Sequence, residues 1–222
     1  MVKGLEKYDF PSWFLDFLKG KGIEKLNPAQ KKSLKAGLLE GNHILTCTPT
    51  GSGKTAIALL AMVKQLVENK GKVVYLVPLR ALASEKFKDM EKLFEKSKYS
   101  VGMSTGDLDS TSKYLDRHDV LILTIEKMDS LLRHHCSWIK DVRCVVIDEI
   151  HLLNDVSRGP TLEILITLLK QINSKMQLVG LSATIGNPSE LAEWLGAELV
   201  IDDWRPVKLH KGIYFEGEVE FV

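Results

Sequence analysis

The amino-acid sequence predicts an α/β domain built on a mostly parallel open sheet with helices on both faces. Three observations carry that expectation. Apolar runs alternate with helix-period segments from residue 43 to about 201, the pattern of strands joined by crossover helices. Two of the runs, Lys72-Val73-Val74-Tyr75-Leu76-Val77 and Cys144-Val145-Val146-Ile147, are apolar at nearly every position, as strands covered on both faces are. The octapeptide Thr48-Pro49-Thr50-Gly51-Ser52-Gly53-Lys54-Thr55 lies between an apolar run and a helix-forming stretch, the setting a phosphate-binding loop requires.

In chain order, Trp13, Phe14, Phe17 and Leu18 recur at helical spacing over residues 10–19, with Pro11 and Ser12 as entry signals and Gly20 as a stop. Asn27-Pro28-Ala29-Gln30 reads as an N-cap and first turn, opening a helix expected to reach about residue 40. His43-Ile44-Leu45-Thr46-Cys47 is the first strand, and the helix after the octapeptide runs to about residue 69. The strand over residues 72–77 is ended by Pro78. A helix over residues 79–97 places Ala83, Phe87, Met90 and Phe94 on one face. Its charge pairs Glu85 with Lys88, Asp89 with Lys92 and Glu95 with Lys98 at i,i+3 suggest a solvated opposite face.

Residues 99–103 and 120–123 are short strands around a polar stretch, 104–119, expected as loop or short helix. Met128, Leu131 and Leu132 mark a helix, and the strand over 144–147 ends in Asp148-Glu149-Ile150-His151. A helix (162–172), a strand (177–181) and a helix (188–195) follow. The tail, with alternating Val207, Leu209, Ile213 and Phe215, reads as a strand pair or a linker. The expected division is a helical segment over 1–26, the main lobe over 27–203 and terminal strands over 204–222.

Length and composition bound the function. The 222 residues suffice for one substantial domain and not for two full ones. With a net charge of +1, nucleic acid would have to be gripped by a local stripe of Lys and Arg or by backbone donors. Cys47, Cys136 and Cys144 are odd in number and lack Cys-x-x-Cys spacing, which argues for reduced thiols and against a disulfide scaffold. The start, Met1-Val2-Lys3-Gly4-Leu5-Glu6-Lys7, lacks a signal-peptide core and no apolar run approaches membrane-spanning length, so a soluble cytoplasmic protein is expected. His134, His135, Cys136 and Cys144 do not suggest zinc, because adjacent helical histidines point in different directions. Trp13, Trp138, Trp194 and Trp204 are expected in helix packing.

Ligands of open parallel sheets bind at the carboxyl ends of the strands. The octapeptide, Pro78-Leu79-Arg80, Thr124-Ile125-Glu126, Asp148-Glu149 and Ser182-Ala183-Thr184 each follow a strand and should crowd one edge. Gly51 and Gly53 let successive N–H groups turn inward onto a polyphosphate, and the helix N-terminus adds to the same concavity. Lys54 would neutralise β- and γ-phosphates, and the Thr55 hydroxyl would ligate Mg²⁺. Thr48 stands where the strict template has glycine. Asp148 suits a metal partner, and Glu149 suits orienting and deprotonating a water for in-line attack.

Together, Gln30, the loop Thr48 to Thr55, Pro78-Leu79-Arg80-Ala81-Leu82-Ala83, Ser104-Thr105-Gly106-Asp107, Thr124-Ile125-Glu126-Lys127, Asp148-Glu149-Ile150-His151 and Ser182-Ala183-Thr184 occur in the order of the superfamily-two helicases. The chain resembles the first of their two RecA-like lobes, a P-loop NTPase domain. The DEIH form, the segment 186–195 and Trp204-Arg205-Pro206-Val207 are most similar to the Ski-type branch, and within it to the archaeal Holliday-junction-migration (Hjm) DNA helicases.

The resemblance implies ATP and Mg²⁺ as cofactors and single-stranded or forked DNA as partner. It implies an ATP-dependent 3′-to-5′ DNA helicase of repair and recombination, monomeric, cytoplasmic and nucleoid-associated, with RNA as the competing substrate and a non-hydrolysing scaffold as the other alternative. Gln30 would read the adenine edge; Arg80, Thr105, Gly106, Thr124, Glu126 and Lys127 would touch a strand backbone; His151, Ser182 and Thr184 would couple nucleotide state to strand grip, the serine and threonine through hydrogen bonds to the acidic box. The resemblance further implies that a second lobe with an arginine finger lies outside this chain, so that the lobe alone hydrolyses poorly.

Overall fold

The β-branched apolar runs pair side by side in a single sheet. The computed structural model describes residues 2–69, 71–106, 111–207, 210 and 212–221. Its elements are α1 (Ser12–Gly20), α2 (Pro28–Lys35), β1 (Ile44–Cys47), α3 (Lys54–Glu68), β2 (Lys72–Val77), α4 (Arg80–Phe94), β3 (Val101–Ser104), α5 (Thr111–Leu115), β4 (Val120–Thr124), α6 (Ile125–Arg133), β5 (Val142–Ile147), α7 (Gly159–Ile172), β6 (Gln177–Ser182), α8 (Pro188–Leu195), β7 (Glu198–Ile201), β8 (Gly212–Phe215) and β9 (Glu218–Phe221). Strands β1 to β7 form one sheet in the order β3-β4-β2-β5-β6-β1-β7. Every pairing in it is parallel.

The pleat divides the core in two. Val73, Tyr75, Val77, Ile122 and Val146 point to the face covered by α1 to α4, while Val74, Leu76, Leu121, Leu123 and Val145 point to the face covered by α6 to α8. That alternation explains why these strands read as continuous apolar runs: both faces are dry. Val2, Leu5, Phe14, Leu18 and Leu26 belong to the first of these cores, so the amino-terminal segment is packed onto the sheet-covering helices.

Register lines up the strand ends. Cys47 pairs with Ser182, Ile147 with Leu76, Val77 with Thr124, and Ser104 with Leu123. The loops after these strands therefore leave from one edge.

Several sequence expectations need correction. The second helix stops at Lys35, short of residue 40. Gly37 takes φ +88°, Leu38 N–H bonds back to Ser33 O at 3.1 Å, and the Asn42 amide donates to Ala36 O at 3.1 Å, which together close the helix end. The fourth helix ends at Phe94 instead of residue 97. Of its paired charges, Glu85, Lys88, Lys92, Glu95 and Lys98 are exposed as expected and Asp89 is half-buried, pairing with Lys21 at 2.9 Å; Lys86, outside those pairs, turns towards the sheet edge. Trp138 is buried and Trp13 packs on Phe94 with ring centroids 5.4 Å apart, but Trp194 and Trp204 are 40% and 38% exposed. The polar strip between β3 and β4 does contain a short helix, α5.

The tail forms the strand pair. β8 and β9 pair antiparallel from Gly212↔Phe221 to Phe215↔Glu218, and their residues are exposed; Leu209 lies outside the described residues. Among the described residues no helix is long and apolar enough to cross a membrane.

Candidate nucleotide and nucleic-acid sites

The octapeptide leaves β1 and curls before α3 begins at Lys54. Gly51 and Gly53 have φ of +80° and +81°, a left-handed backbone that side chains resist. A Cβ on Gly53 would also stand 2.9 Å from Gln30 Nε2 and 3.1 Å from Asn27 Nδ2. Glycine is thus required there twice over, by backbone and by neighbours.

Three further contacts hold the curl. Thr48 Oγ1 and Ser52 Oγ, both buried, are hydrogen-bonded at 2.7 Å; Asn27 Nδ2 donates to Ser52 O at 2.7 Å; Gln30 Nε2 donates to Gly53 O at 3.3 Å. Thr48 occupies the position of the template's glycine and uses its hydroxyl as a brace. Gln30 is 2% exposed, and its amide oxygen accepts from Asn27 N in a reciprocal capping box with α2. The same two residues that start α2 therefore pin the loop.

Lys54 Nζ donates to Thr48 O at 2.8 Å and to Pro49 O at 3.2 Å, lying across the concavity. Burial pulls its ammonium below the ordinary lysine value, while the Glu149 and Asp148 carboxylates oppose that shift. The lysine is a partly desolvated cation that the nearby carboxylates help to keep charged, and partial desolvation strengthens its attraction for phosphate oxygens. Cys47, next to the loop, has its thiol pushed up by burial and is a poor nucleophile.

Asp148 continues the β5 ladder through its N–H to Leu76 O at 2.9 Å. Its Oδ2 accepts 2.8 Å from the fully buried Tyr75 hydroxyl. Burial, and then the negative charge of Asp148, hold that phenol's pKa well above its ordinary value, so Tyr75 stays a donor. Lys86 on α4 places its ammonium 4.0 Å from the same Oδ2 and 3.3 Å from Thr55 Oγ1. Neither Tyr75 nor Lys86 stands out in the sequence.

Glu149 has φ +52° and ψ +44°, a left-handed conformation uncommon for any residue but glycine. That backbone conformation takes the chain out of the β5 line just after Asp148. His151 Nδ1 lies 3.3 Å from Glu149 Oε2, within ion-pair reach but without hydrogen-bond alignment. Ser182 Oγ is buried with no hydrogen-bond partner among the described residues, and Thr184 is exposed. His151 is thus brought to the acidic pair, whereas Ser182 and Thr184 make no hydrogen bond to it here.

The residues present fit a small divalent cation. One hydroxyl (Thr55) and one carboxylate (Asp148) flank a position next to a lysine ammonium, so the seat already favours positive charge. Among the described residues no group of three or more His, Cys, Asp or Glu side chains could hold a metal alone. That donor set matches Mg²⁺, which keeps waters and phosphate oxygens as its other ligands.

Along the same edge, past β2, Pro78, Arg80, Thr105, Thr124, Glu126 and Lys127 line one cleft of about 330 Å³. Gly106, next to Thr105 in the chain, is not among the cleft's lining residues, and Asp107 lies outside the described residues. Thr124 is the N-cap of α6, accepting from Lys127 N at 3.3 Å, and both residues are about 3% exposed. Glu126, in the first turn of α6, favours the helix dipole. Sequence reasoning missed Arg158, which joins this cleft and donates to Pro78 O at 3.4 Å. It is set by a turn in which Asp155 Oδ1 accepts from Ser157 N, Ser157 Oγ and Arg158 N at 2.9, 2.6 and 2.9 Å.

Residues 27–191 match the DEAD/DEAH box helicase family. The chain is 52% identical over 204 residues to an ATP-dependent DNA helicase Hel308 of Pyrococcus abyssi, covering 92% of this chain and 28% of that protein. Against the protein of the same name from Methanocaldococcus jannaschii it is 50% identical over 214 residues, covering 94% of this chain and 18% of the other. The chain thus spans less than a third of the length of these curated relatives. Among solved structures, Mycobacterium smegmatis helicase Lhr bound to ssDNA and AMP-PNP is similar at a TM-score of 0.74 and 29% identity, covering 90% of this chain and 28% of that one. The DUF1998 helicase MrfA bound to DNA aligns at a TM-score of 0.75 and 25% identity over 87% of this chain and 30% of its own.

Proposed function

The chain belongs to the DEAD/DEAH box helicase family, and on that premise we propose that it is the ATP-binding motor lobe of a 3′-to-5′ DNA helicase acting on forked or branched DNA in repair and recombination. One observation carries the reading: a braced phosphate loop with its acidic pair and a cleft of cations and hydroxyls share a single sheet edge. The names of the relatives favour DNA over RNA.

In this reading Lys54 moves from the loop carbonyls onto the β- and γ-phosphates, and the N–H groups around Gly51 and Gly53 hold the phosphate oxygens. Thr55 and Asp148 would hold Mg²⁺, which supplies charge neutralisation at the phosphates when bound. Glu149 accepts the proton of the attacking water, with His151 beside it. Gln30 contacts the adenine edge through the hydrogen and lone pair left over from its loop bonds. Arg80, Thr105, Gly106, Thr124, Glu126, Lys127 and Arg158 follow the sugar–phosphate backbone of one strand, and Ser182 and Thr184 link that grip to the nucleotide. Residues 27–203 form the motor lobe, 1–26 a helical segment and 204–222 the path to a second lobe that supplies an arginine finger. The whole is a monomeric, cytoplasmic, nucleoid-associated motor.

The test is phosphate release by the longer protein with and without single-stranded DNA, set beside its Glu149→Gln variant. The expected result is a loss of about 10²- to 10³-fold in turnover with nucleotide binding kept. Equal rates in the two proteins would overturn the motor reading in favour of a scaffold, and preference for RNA oligonucleotides in competition would reassign the substrate. The 222 residues alone are expected to bind nucleotide and hydrolyse it poorly, because an arginine finger accounts for about 10³ to 10⁵ in turnover.

A further inference from the structure

Lys86 lies on α4, whose charge pattern suggests a solvated face, yet its side chain is only 13% exposed. Its ammonium stands 3.3 Å from Thr55 Oγ1, 4.0 Å from Asp148 Oδ2 and 5.8 Å from the centre of the Tyr75 ring. Thr55 and Asp148 are the two groups that would hold a divalent cation, so an ammonium and a metal would address the same oxygens. We propose that Lys86 is a built-in competitor for the divalent cation at the nucleotide site, a positioning residue that must withdraw before Thr55 and Asp148 can serve the metal. The inference rests on the reading of this edge as a Mg²⁺–nucleotide site.

Electrostatics sets the direction. Like charges a few ångströms apart in a partly buried site repel strongly, and a +2 ion repels the ammonium twice as strongly as a second lysine would. The lysine also has somewhere to go. A cleft of about 280 Å³ opens beside it, lined by Phe17, Lys21, Thr55, Glu85 and Asp89 among others. Asp89 is already engaged by Lys21 at 2.9 Å, which leaves Glu85 as the carboxylate in that cleft to receive the displaced ammonium.

The position of Lys86 on its helix gives the exchange a reach beyond the metal. α4 starts at Arg80 in the strand-contact cleft, six residues upstream, about 9 Å along the helix axis. A cation that repels Lys86 therefore acts on the helix that carries Arg80. Metal entry and strand contact share one rigid element.

The test titrates Mg²⁺ against a fixed concentration of a fluorescent ATP analogue, reading nucleotide affinity in the wild-type chain, Lys86→Met, Lys86→Gln and Lys86→Arg, with Mn²⁺ binding by electron paramagnetic resonance as a second readout. The neutral variants are expected to reach half-maximal metal-dependent binding at about tenfold lower Mg²⁺, the size of one modest charge interaction. Lys86→Arg, which keeps the charge, is expected to stay near the wild type. Two neutral variants are used so that a folding failure in one leaves the other. An unchanged or higher metal midpoint in the neutral variants, with nucleotide still bound, overturns the inference alone and makes Lys86 a phosphate ligand or a spacer. A wild-type chain that binds no nucleotide at saturating Mg²⁺ overturns the nucleotide-site reading and the inference with it.

Discussion

The two halves of the sheet edge are built in different ways. Over β1, β5 and β6 the site is made of backbone: glycines at φ +80° and +81°, a hydroxyl pair at 2.7 Å, and two amide side chains pinning loop carbonyls. Over β2, β3 and β4 it is made of side chains, Arg80, Lys127 and Arg158 among hydroxyls around an open cleft. A compact triphosphate of fixed shape rewards a rigid concavity, because every donor can be aimed in advance. A repeating sugar–phosphate chain that must slide rewards spaced charges that can let go one at a time. The first half should therefore fail through strain, and the second through loss of charge.

Four substitutions or conditions would break or sharpen that contrast. The largest effect is expected at Gly53→Ala, where positive φ and a 2.9 Å approach to Gln30 act together. A loss of about 1–3 kcal/mol in chemical denaturation, with nucleotide affinity collapsing, is the expected outcome. A neutral result would mean that the loop is not prebuilt. Next comes Tyr75→Phe, which removes the 2.8 Å donor to Asp148 without emptying space. Denaturation should show about 1–2 kcal/mol of destabilisation, with the metal dependence of nucleotide binding altered.

On the other half, Arg80→Ala combined with Arg158→Ala should leave nucleotide affinity intact. Single-strand affinity should fall about tenfold, and the slope of log affinity against log salt should shrink by about 0.7 for each phosphate that is no longer neutralised. An unchanged slope would remove these arginines from the strand path. The smallest effect concerns pH. Hydrogen bonds from Ser157 Oγ and from the Arg158 and Ser157 amides hold the Asp155 carboxyl below its ordinary 3.8. Because the folded value is the lower one, this turn's contribution is present above that ordinary value and is lost as pH falls through the folded one. Melting temperatures of the wild type and Asp155→Asn should differ at neutral pH, and the difference should shrink as pH falls from about 4 through the folded value.

What the sequence disclosed, and what it hid, follows the same division. The loop and the acidic pair were readable because their chemistry is contiguous: glycines, lysine and threonine within one octapeptide, two carboxylates at one strand end. Asn27 was readable as a cap, since the Asn-Pro start is a local rule. Arg80, Thr105, Thr124, Glu126 and Lys127 came from resemblance, and the structure gathers them in one cleft. Tyr75 was hidden inside an apolar run, because which face a strand residue takes is fixed only by its neighbours' register. Lys86 was hidden by its own helix, where a charge repeating every three residues looks solvated until the packing direction is known. Arg158 depended on a turn whose shape three hydrogen bonds to one carboxylate decide. The early stop of α2 likewise needed the side chain of Asn42 reaching back to Ala36.

The strand order has a consequence for how the chain comes into being. β1 is the first strand of the sheet in the sequence, yet its neighbours are β6 and β7, more than a hundred residues later. The Thr48 N–H finds its acceptor on Ser182. During synthesis, then, residues 44–47 emerge early and stay unpaired until residues 177–201 have been made, a long-range closure of the kind that slows folding and leaves apolar segments open to wrong partners. The most self-contained motif in the sequence is the last to be seated, and nucleotide binding by a nascent chain would report that the whole sheet has closed.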